Sequence, residues 1–352
     1  MRPAPRRVLR PVLYLLLGLA AVDGAVTLAR DVWERHSPDD YAERIAGCRR
    51  RGHDLIILGG SPVSEGFDPA AFDGLEWHGH TISDGYSIGL PGGTATDYYF
   101  ALKAVTAGHQ PPKLVVYGVT ATDLNDARNE PHGPFSVWTW ADYCDSLATR
   151  PDSREWATRR FLEGRVRRGW ALFRYRHGIK MAAAHAADGL IPGLGGPAAV
   201  EAEKARGYSM ALRTGRGYAP ADFFVDTRYD ESKAAGKKPA PFDFLDKYRT
   251  GSHARYVYKI ADWCAANGAD LVLVDMPVTV DLEAKYPAAL AEYRRLLAAI
   301  LADRPLPLVR ATRDKLGLTD ADFADIIHLN GAGAAKFSAW VRGELDRMGT
   351  RP

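Results

Sequence analysis

Three short stretches, far apart in the chain, carry residue types whose spacing suits one chemistry. The first is Leu58-Gly59-Gly60-Ser61-Pro62-Val63-Ser64-Glu65-Gly66-Phe67-Asp68-Pro69. A serine on a glycine turn after an apolar run presents its hydroxyl outward. The glycines let the backbone turn tightly and offer N–H groups to an oxyanion. The second is Asp325-Ile326-Ile327-His328-Leu329-Asn330. A carboxylate three residues ahead of a histidine can hold Nδ1–H, fix the tautomer and stabilise the imidazolium. Nε2 is then left to take a hydroxyl proton. The third is Gly89-Leu90-Pro91-Gly92-Gly93. This glycine turn opens a helix, and its N–H groups suit a developing negative charge. Taken singly, each has a plainer reading: a strand-end or phosphate-cradling turn, a capping Asp beside a surface His, a simple loop.

The elements that must position these residues read as α/β. Residues 54–58 (DLIIL) form a short apolar run closed by Gly59-Gly60, the pattern of a buried parallel strand. Residues 80–83 read as a second, weaker strand. Residues 94–107 read as a helix that Thr94 caps, that Asp97 completes as a capping box, and that Gly108 ends. Residues 113–117 (KLVVY) are another buried strand. Further on, 253–266 are amphipathic, with Tyr256, Ile260, Trp263 and Cys264 on one side and Asn267-Gly268 as a stop. A strand at 270–274, a helix at 287–302, a strand at 306–310 and a helix at 332–348 complete the series. Strands alternating with helices predict a parallel sheet covered on both faces, with ligands outside the carboxyl ends of its strands.

Between the halves, 134–248 differ in character. From 154 to 180 there are nine Arg or Lys against Glu155 and Glu163, with Trp156, Phe161, Trp170, Phe173 and Tyr175 interleaved. This stretch suits an anionic surface or polymer, or a basic helix packing its rings on the core. Residues 189–247 are rich in Gly, Pro, Ala and charge and read as irregular.

The N-terminus carries Arg2, Arg6, Arg7 and Arg10 and no acid, and 12–29 are then apolar but for Asp23. These eighteen residues span about 27 Å as a helix, just short of a bilayer core of roughly 30 Å. The basic flank stays cytoplasmic, so a single-pass anchor places the body outside. The alternative is a cleaved signal peptide, with Gly18-x-Ala20 or Val22-x-Gly24 as its site. Asp23 favours cleavage, the length favours an anchor, and either places the body outside the cytoplasm.

Of 352 residues, 46% are hydrophobic and 25% charged. Those are ordinary globular values, which exclude a wholly disordered, collagen-like or polytopic membrane chain. The net charge of +3 gives no argument for nucleic-acid binding. Cys48, Cys144 and Cys264 lack CxxC spacing, so neither a zinc site nor a disulfide framework is expected. Trp77-His78-Gly79-His80 holds a His-x-His pair with no third ligand, and no metal or other cofactor is expected.

Taken together, the blocks are far more specific. LGGSPVSEGFDP near the start and DIIHLNGAGAAKF near the end resemble the first and last blocks of the SGNH/GDSL hydrolase superfamily, and Leu273-Val274-Asp275-Met276-Pro277 resembles a strand end of that family. The resemblance covers about 50–130 and 250–348. It implies a three-layer, flavodoxin-like domain. It also implies Ser61 as nucleophile, His328 as general base and Asp325 as its orienter, with oxyanion donors from Gly60, Ser61 and the Gly92-Gly93 turn. Two positions depart from the pattern. Gly60 stands where the first block has Asp, and Tyr117-Gly118-Val119-Thr120-Ala121-Thr122-Asp123 lacks the third block's Asn. Thr120 and Asn125 are the candidate substitutes.

The anchor, the altered blocks and the large insertion resemble the membrane-anchored branch that includes the D-alanyl transfer and alginate O-acetylation proteins. The expected organisation is an anchor or signal over 1–30, an SGNH-like first half over 31–133, an insertion over 134–248 and the second half over 249–352. The expected function is serine-dependent acyl transfer or ester hydrolysis on an acylated cell-envelope glycan or lipid, with a membrane-bound O-acyltransferase as a possible partner. A non-catalytic binding or assembly protein on the same scaffold, or a generic extracytoplasmic esterase or lipase, is the alternative.

Overall fold

The computed structural model describes residues 6–36, 40–127, 137–191, 214–221, 228–237 and 242–350, with a few residues between 194 and 212. Its centre is a parallel sheet of β1 (Leu55–Gly59), β4 (Gly85–Gly89), β5 (Leu114–Val119), β6 (Asp270–Asp275) and β7 (Leu308–Arg310), ordered β4-β1-β5-β6-β7. Counted by their place in the chain, the strands lie in the doubly wound order 2-1-3-4-5, and the order reverses between β1 and β5. Strands β1, β4 and β5 are buried along their whole length, which is why they do not alternate apolar with polar residues.

Helices cover both faces. Successive residues of a strand point to opposite sides. On β5, the Tyr117 ring meets Tyr98 of α5 (Ala95–Thr106) with centroids 5.6 Å apart. A Cβ at the next residue, Gly118, would meet Val63 and Phe67 instead. Val63 belongs to α4 (Ser61–Gly66), so α4 and α5 lie on opposite faces. Helices α9 (Ser252–Asn267) and α10 (Pro287–Asp303) group with α5, and the terminal helix α11 (Gly331–Gly349) packs on α4.

The second sheet strand is Gly85–Gly89, not 80–83. His80–Ile82 pairs antiparallel with Leu75–Trp77 as a separate hairpin, β3 with β2. In GYSIG the last glycine is demanded by packing. A Cβ at Gly89 would lie 2.4 Å from the Ser64 backbone, because α4 crosses directly over it. Capping of α5 follows expectation: Asp97 accepts from the Thr94 N–H at 2.8 Å.

Between β5 and β6 the chain forms α6 (Trp140–Thr149), α7 (Arg154–Gly169) and α8 (Ala171–Leu190). Phe161 is buried and stacks on Tyr143, so part of the basic-aromatic stretch packs inward. The expected boundary at 133/134 and much of 189–247 lie outside the described residues. At the N-terminus, α1 (Arg6–Leu28) is long and apolar enough to be a membrane anchor or a signal sequence. Two short helices follow it, α2 (Arg30–His36) and α3 (Asp40–Cys48). Cys48, Cys144 and Cys264 are free thiols.

Gly89→Ala should cost about 1–3 kcal/mol by overpacking α4 against β4. Urea unfolding of the detergent-solubilised full chain measures it, and an unchanged midpoint would mean that α4 can yield there.

Candidate active site

Ser61 opens α4 immediately beyond β1, at the carboxyl edge of the sheet. The turn that puts it there needs Gly59, whose φ is +153°. A Cβ at Gly59 would lie 2.3 Å from the Val63 side chain and 2.7 Å from the Gly118 carbonyl. Gly60 presses its backbone toward the Tyr98 hydroxyl and Asp123. On its buried side α4 is held by Arg44 of α3, which donates to Ser64 Oγ at 2.6 Å and to Tyr208 Oη at 2.8 Å.

His328 arrives on a short loop that fastens itself. Phe323 bridges to Leu329, and the Ala324 N–H donates to the His328 carbonyl at 2.8 Å. Asn330 then caps α11 by accepting from Gly333 N–H at 3.0 Å. The Thr279 hydroxyl, beyond β6, donates to the Ile326 carbonyl at 2.9 Å and ties the loop to the sheet edge.

These two supports bring three expected residues into contact. His328 Nε2 lies 2.8 Å from Ser61 Oγ, and His328 Nδ1 lies 2.7 Å from Asp325 Oδ2. The other oxygen, Oδ1, accepts the N–H groups of Ile327 and His328, each at 2.8 Å. The carboxylate is thereby fixed by its own loop and fixes the ring in turn. With Nδ1–H donated to Asp325, Nε2 offers its lone pair to the Ser61 hydroxyl. Ser61 is partly exposed, and the His328 side chain keeps 17% of its surface accessible. This arrangement can activate a serine for nucleophilic attack on a carbonyl.

Charge around His328 is unbalanced. Burial pulls its pKa down. Glu65 and the hydrogen-bonded Asp325 outweigh that and push it up to about 9. Burial likewise opposes the Asp325 carboxylate, but the His328 ring and the two N–H groups hold it below the usual carboxylate range. Glu65 is buried, four residues after Ser61 in α4. Nothing in the sequence blocks assigns this residue a role. The signal was the four-residue spacing, which stacks positions 61 and 65 on one side of a helical turn.

The expected oxyanion group separates. Leu90-Pro91-Gly92-Gly93 is a turn with φ +74° at Gly92, and the Gly93 N–H donates to the Leu90 carbonyl at 2.8 Å. Pro then Gly at the centre of such a turn is the type II signature. The Gly93 N–H is therefore committed to the turn. Asn125 is buried and is likewise spent on structure. Its Nδ2 donates to Phe244 O at 2.8 Å, and its Oδ1 accepts from Ala127 N and Arg249 N at 2.9 and 3.0 Å. Thr120 gives its N–H to Asp123 at 2.9 Å and keeps its hydroxyl 2.7 Å from that of Thr122. Asp123 also accepts from Tyr98 Oη at 3.0 Å, a buried brace behind Gly60 that the sequence did not announce. As the first helical residue, Ser61 directs its own N–H out of the helix end, where no intrahelical acceptor exists.

Beside the triad lies a cavity of about 300 Å³ at the ends of β5 and β6. Pro62 and Ile327, the chain neighbours of Ser61 and His328, form part of its wall together with Thr120 and Met276. Asp275 lines it too. Burial raises the Asp275 pKa against the hydrogen bond from Tyr293 Oη at 2.8 Å. Among the described residues no group of three His, Cys, Asp or Glu could hold a metal, and His78 instead faces Asp270 at 3.8 Å. No family model and no curated protein matches this chain.

His328 binds its proton more tightly in the folded chain than in the unfolded one, where an imidazole titrates near 6.5. The stabilisation is complete below that pH and is lost as pH rises through about 9. NMR titration of the ring should show a midpoint near 9 that falls in Glu65→Gln. A midpoint that ignores the substitution would remove Glu65 from the electrostatics of the site.

Proposed function

We propose that the protein is a serine-dependent acyltransferase or esterase of SGNH type, acting outside the cytoplasm on O-acyl groups of a cell-envelope glycan or lipid. The observation that carries this reading is the unbroken Ser61–His328–Asp325 hydrogen-bond chain at the carboxyl edge of a doubly wound sheet. Further support comes from the position of Ser61, on a glycine turn beside the point where the strand order reverses.

In this mechanism Ser61 Oγ attacks the ester carbonyl while its proton passes to His328 Nε2. The Ser61 N–H faces the developing oxyanion, and the Thr120 hydroxyl, on the wall of the adjoining cavity, is the side-chain candidate to join it. His328 then protonates the departing alkoxide, and Asp325 stabilises the imidazolium throughout. The acyl-enzyme passes its group to a sugar hydroxyl or to water: His328 takes the acceptor's proton as the new bond forms and returns it to Ser61 Oγ as the Oγ–acyl bond breaks. The 300 Å³ cavity suits a small acyl group or one sugar ring rather than a long chain. Read as an anchor, α1 confines the site to the envelope and admits a membrane-bound O-acyltransferase as acyl donor.

Ser61→Ala should abolish labelling by a fluorophosphonate probe and lower turnover of an acetyl ester by on the order of 10⁴-fold or more. Cells carrying it should show altered O-acyl content in the envelope glycan. Labelling that survives in Ser61→Ala would overturn the mechanism, and unchanged O-acylation at a normal protein level would overturn the substrate class.

Only neutral His328 can act as the base. The rate constant kcat/KM should therefore rise with pH toward about 9. In Glu65→Gln the rising limb should move to lower pH, and a flat profile from pH 6 to 9 in the wild type would contradict the assignment.

A further inference from the structure

Asp23 is the one charge within the apolar stretch of α1, and the structure gives it a partner. Its Oδ1 accepts the Leu172 N–H at 2.8 Å, in the first turn of α8. A carboxylate at a helix N-terminus meets unsatisfied N–H groups and the positive end of the helix dipole, which offsets the cost of placing it in or near a membrane. Helix α8 also contacts α1 and α2 elsewhere along its length, and the Trp33 indole of α2 donates to the Val26 carbonyl at 3.1 Å. The corner between α7 and α8 is thus tied to the anchor helix.

The depth of that tie follows from helix geometry. Asp23 lies five residues before Leu28, the last residue of α1, which is about 8 Å of helical rise. With 12–29 spanning about 27 Å of a hydrocarbon core of roughly 30 Å, Asp23 sits about 8 Å inside its edge on the side of the protein body. The N-terminus of α8 must reach the same level.

The surface there matches that level in chemistry. Leu162, Val166 and Trp170 are 54%, 45% and 40% exposed, an unusual concentration for a polar helix pair. The Trp170 and Phe173 rings lie stacked at the corner, with centroids 6.1 Å apart. Arg168 and Arg176 are exposed beside them, and the Arg176 guanidinium lies 4.1 Å from the Phe173 ring centroid. Burial and the neighbouring charges of Arg165 and Arg49 lower the pKa of Arg168, as expected where cations are crowded. Tryptophan at the interface and arginine among headgroups are the residues that bilayers retain.

We propose that the α7–α8 corner docks into the bilayer interface, with Leu162, Val166 and Trp170 at the boundary of headgroups and acyl chains and Arg168 and Arg176 on anionic phospholipid. The proposal rests on the reading of α1 as a membrane helix. Its effect is to hold the catalytic body at a fixed height and tilt, where a flexible tether would leave it free.

The test uses the full chain in nanodiscs, with Cys144→Ser as background because the other two thiols are buried. A fluorescent label goes at Leu16→Cys or Val166→Cys. Lipids quenched near the headgroup, lipids quenched in the tail, and aqueous iodide are compared. The Leu16 label should respond to tail quencher, which reports the anchor alone. The Val166 label should respond to headgroup quencher, and more strongly in phosphatidylglycerol than in phosphatidylcholine. Arg168→Gln and Arg176→Gln should each lower its docked-to-free ratio roughly fivefold. A Val166 label quenched only by iodide, with Leu16 still in the tails, would overturn the docking and leave the anchor. Protection from both quenchers would mean a second copy covers the patch, which also overturns it. A Leu16 label open to iodide would remove the anchor and the docking together.

Discussion

One hydrogen bond, between Ser61 and His328, joins residues 267 positions apart, and the rest of the structure can be understood as what keeps it 2.8 Å long. Each partner is held by its own local device: a glycine turn on a fully buried strand for Ser61, a self-bonded loop for His328. Neither device knows of the other. They meet because β1 lies inside a parallel sheet, between β4 and β5, and α11, which follows the histidine loop, packs on α4, which begins with the serine. The helix–helix contact and the reactive contact are the two ends of one packing arrangement. A parallel sheet suits this task, since all its strands deliver their carboxyl ends to one edge.

The electrostatics of that edge set a second constraint. His328 faces two carboxylates, Asp325 through a hydrogen bond and Glu65 through space, with no cation among the groups that shift its pKa. Such a site stabilises an imidazolium strongly, which favours the charged state that His328 would reach in the proposed acyl transfer. The same feature leaves the resting base largely protonated at neutral pH. A carboxylate pair around one imidazole thus trades readiness of the base for stabilisation of the state it forms. Neutralising Glu65 would shift that balance without touching the hydrogen-bond chain.

What could be read from residues alone divides along physical lines. Apolar runs closed by turns marked β1, β5 and β6, since burial on both faces leaves a composition signal. The triad was legible because its blocks are local: Asp325 and His328 are three apart, and Ser61 sits on its own turn. Strand β4 is hidden by its glycines, of which Gly89 is there for the helix that crosses it and not for any turn. The family resemblance implies Gly93 as an oxyanion donor and offers Asn125 in place of the third block's Asn. In the fold the Leu90 carbonyl and the segment at Phe244–Arg249 already claim them. Asp123 and Tyr98, which brace the serine turn from behind, are ordinary residues in sequence and acquire meaning through one buried hydrogen bond.

The separation of Ser61 from His328 also orders events in time. Synthesis proceeds from the N-terminus at about 5–20 residues per second, so the histidine follows the serine by roughly 15–50 s. During that interval the growing chain carries an alcohol with no base to activate it. Strands β1, β4 and β5 can pair early, but β6 must wait for the long crossover that holds α6, α7 and α8. The Ser61–His328 contact can therefore form only after β7, when all of the chain but α11 has been made.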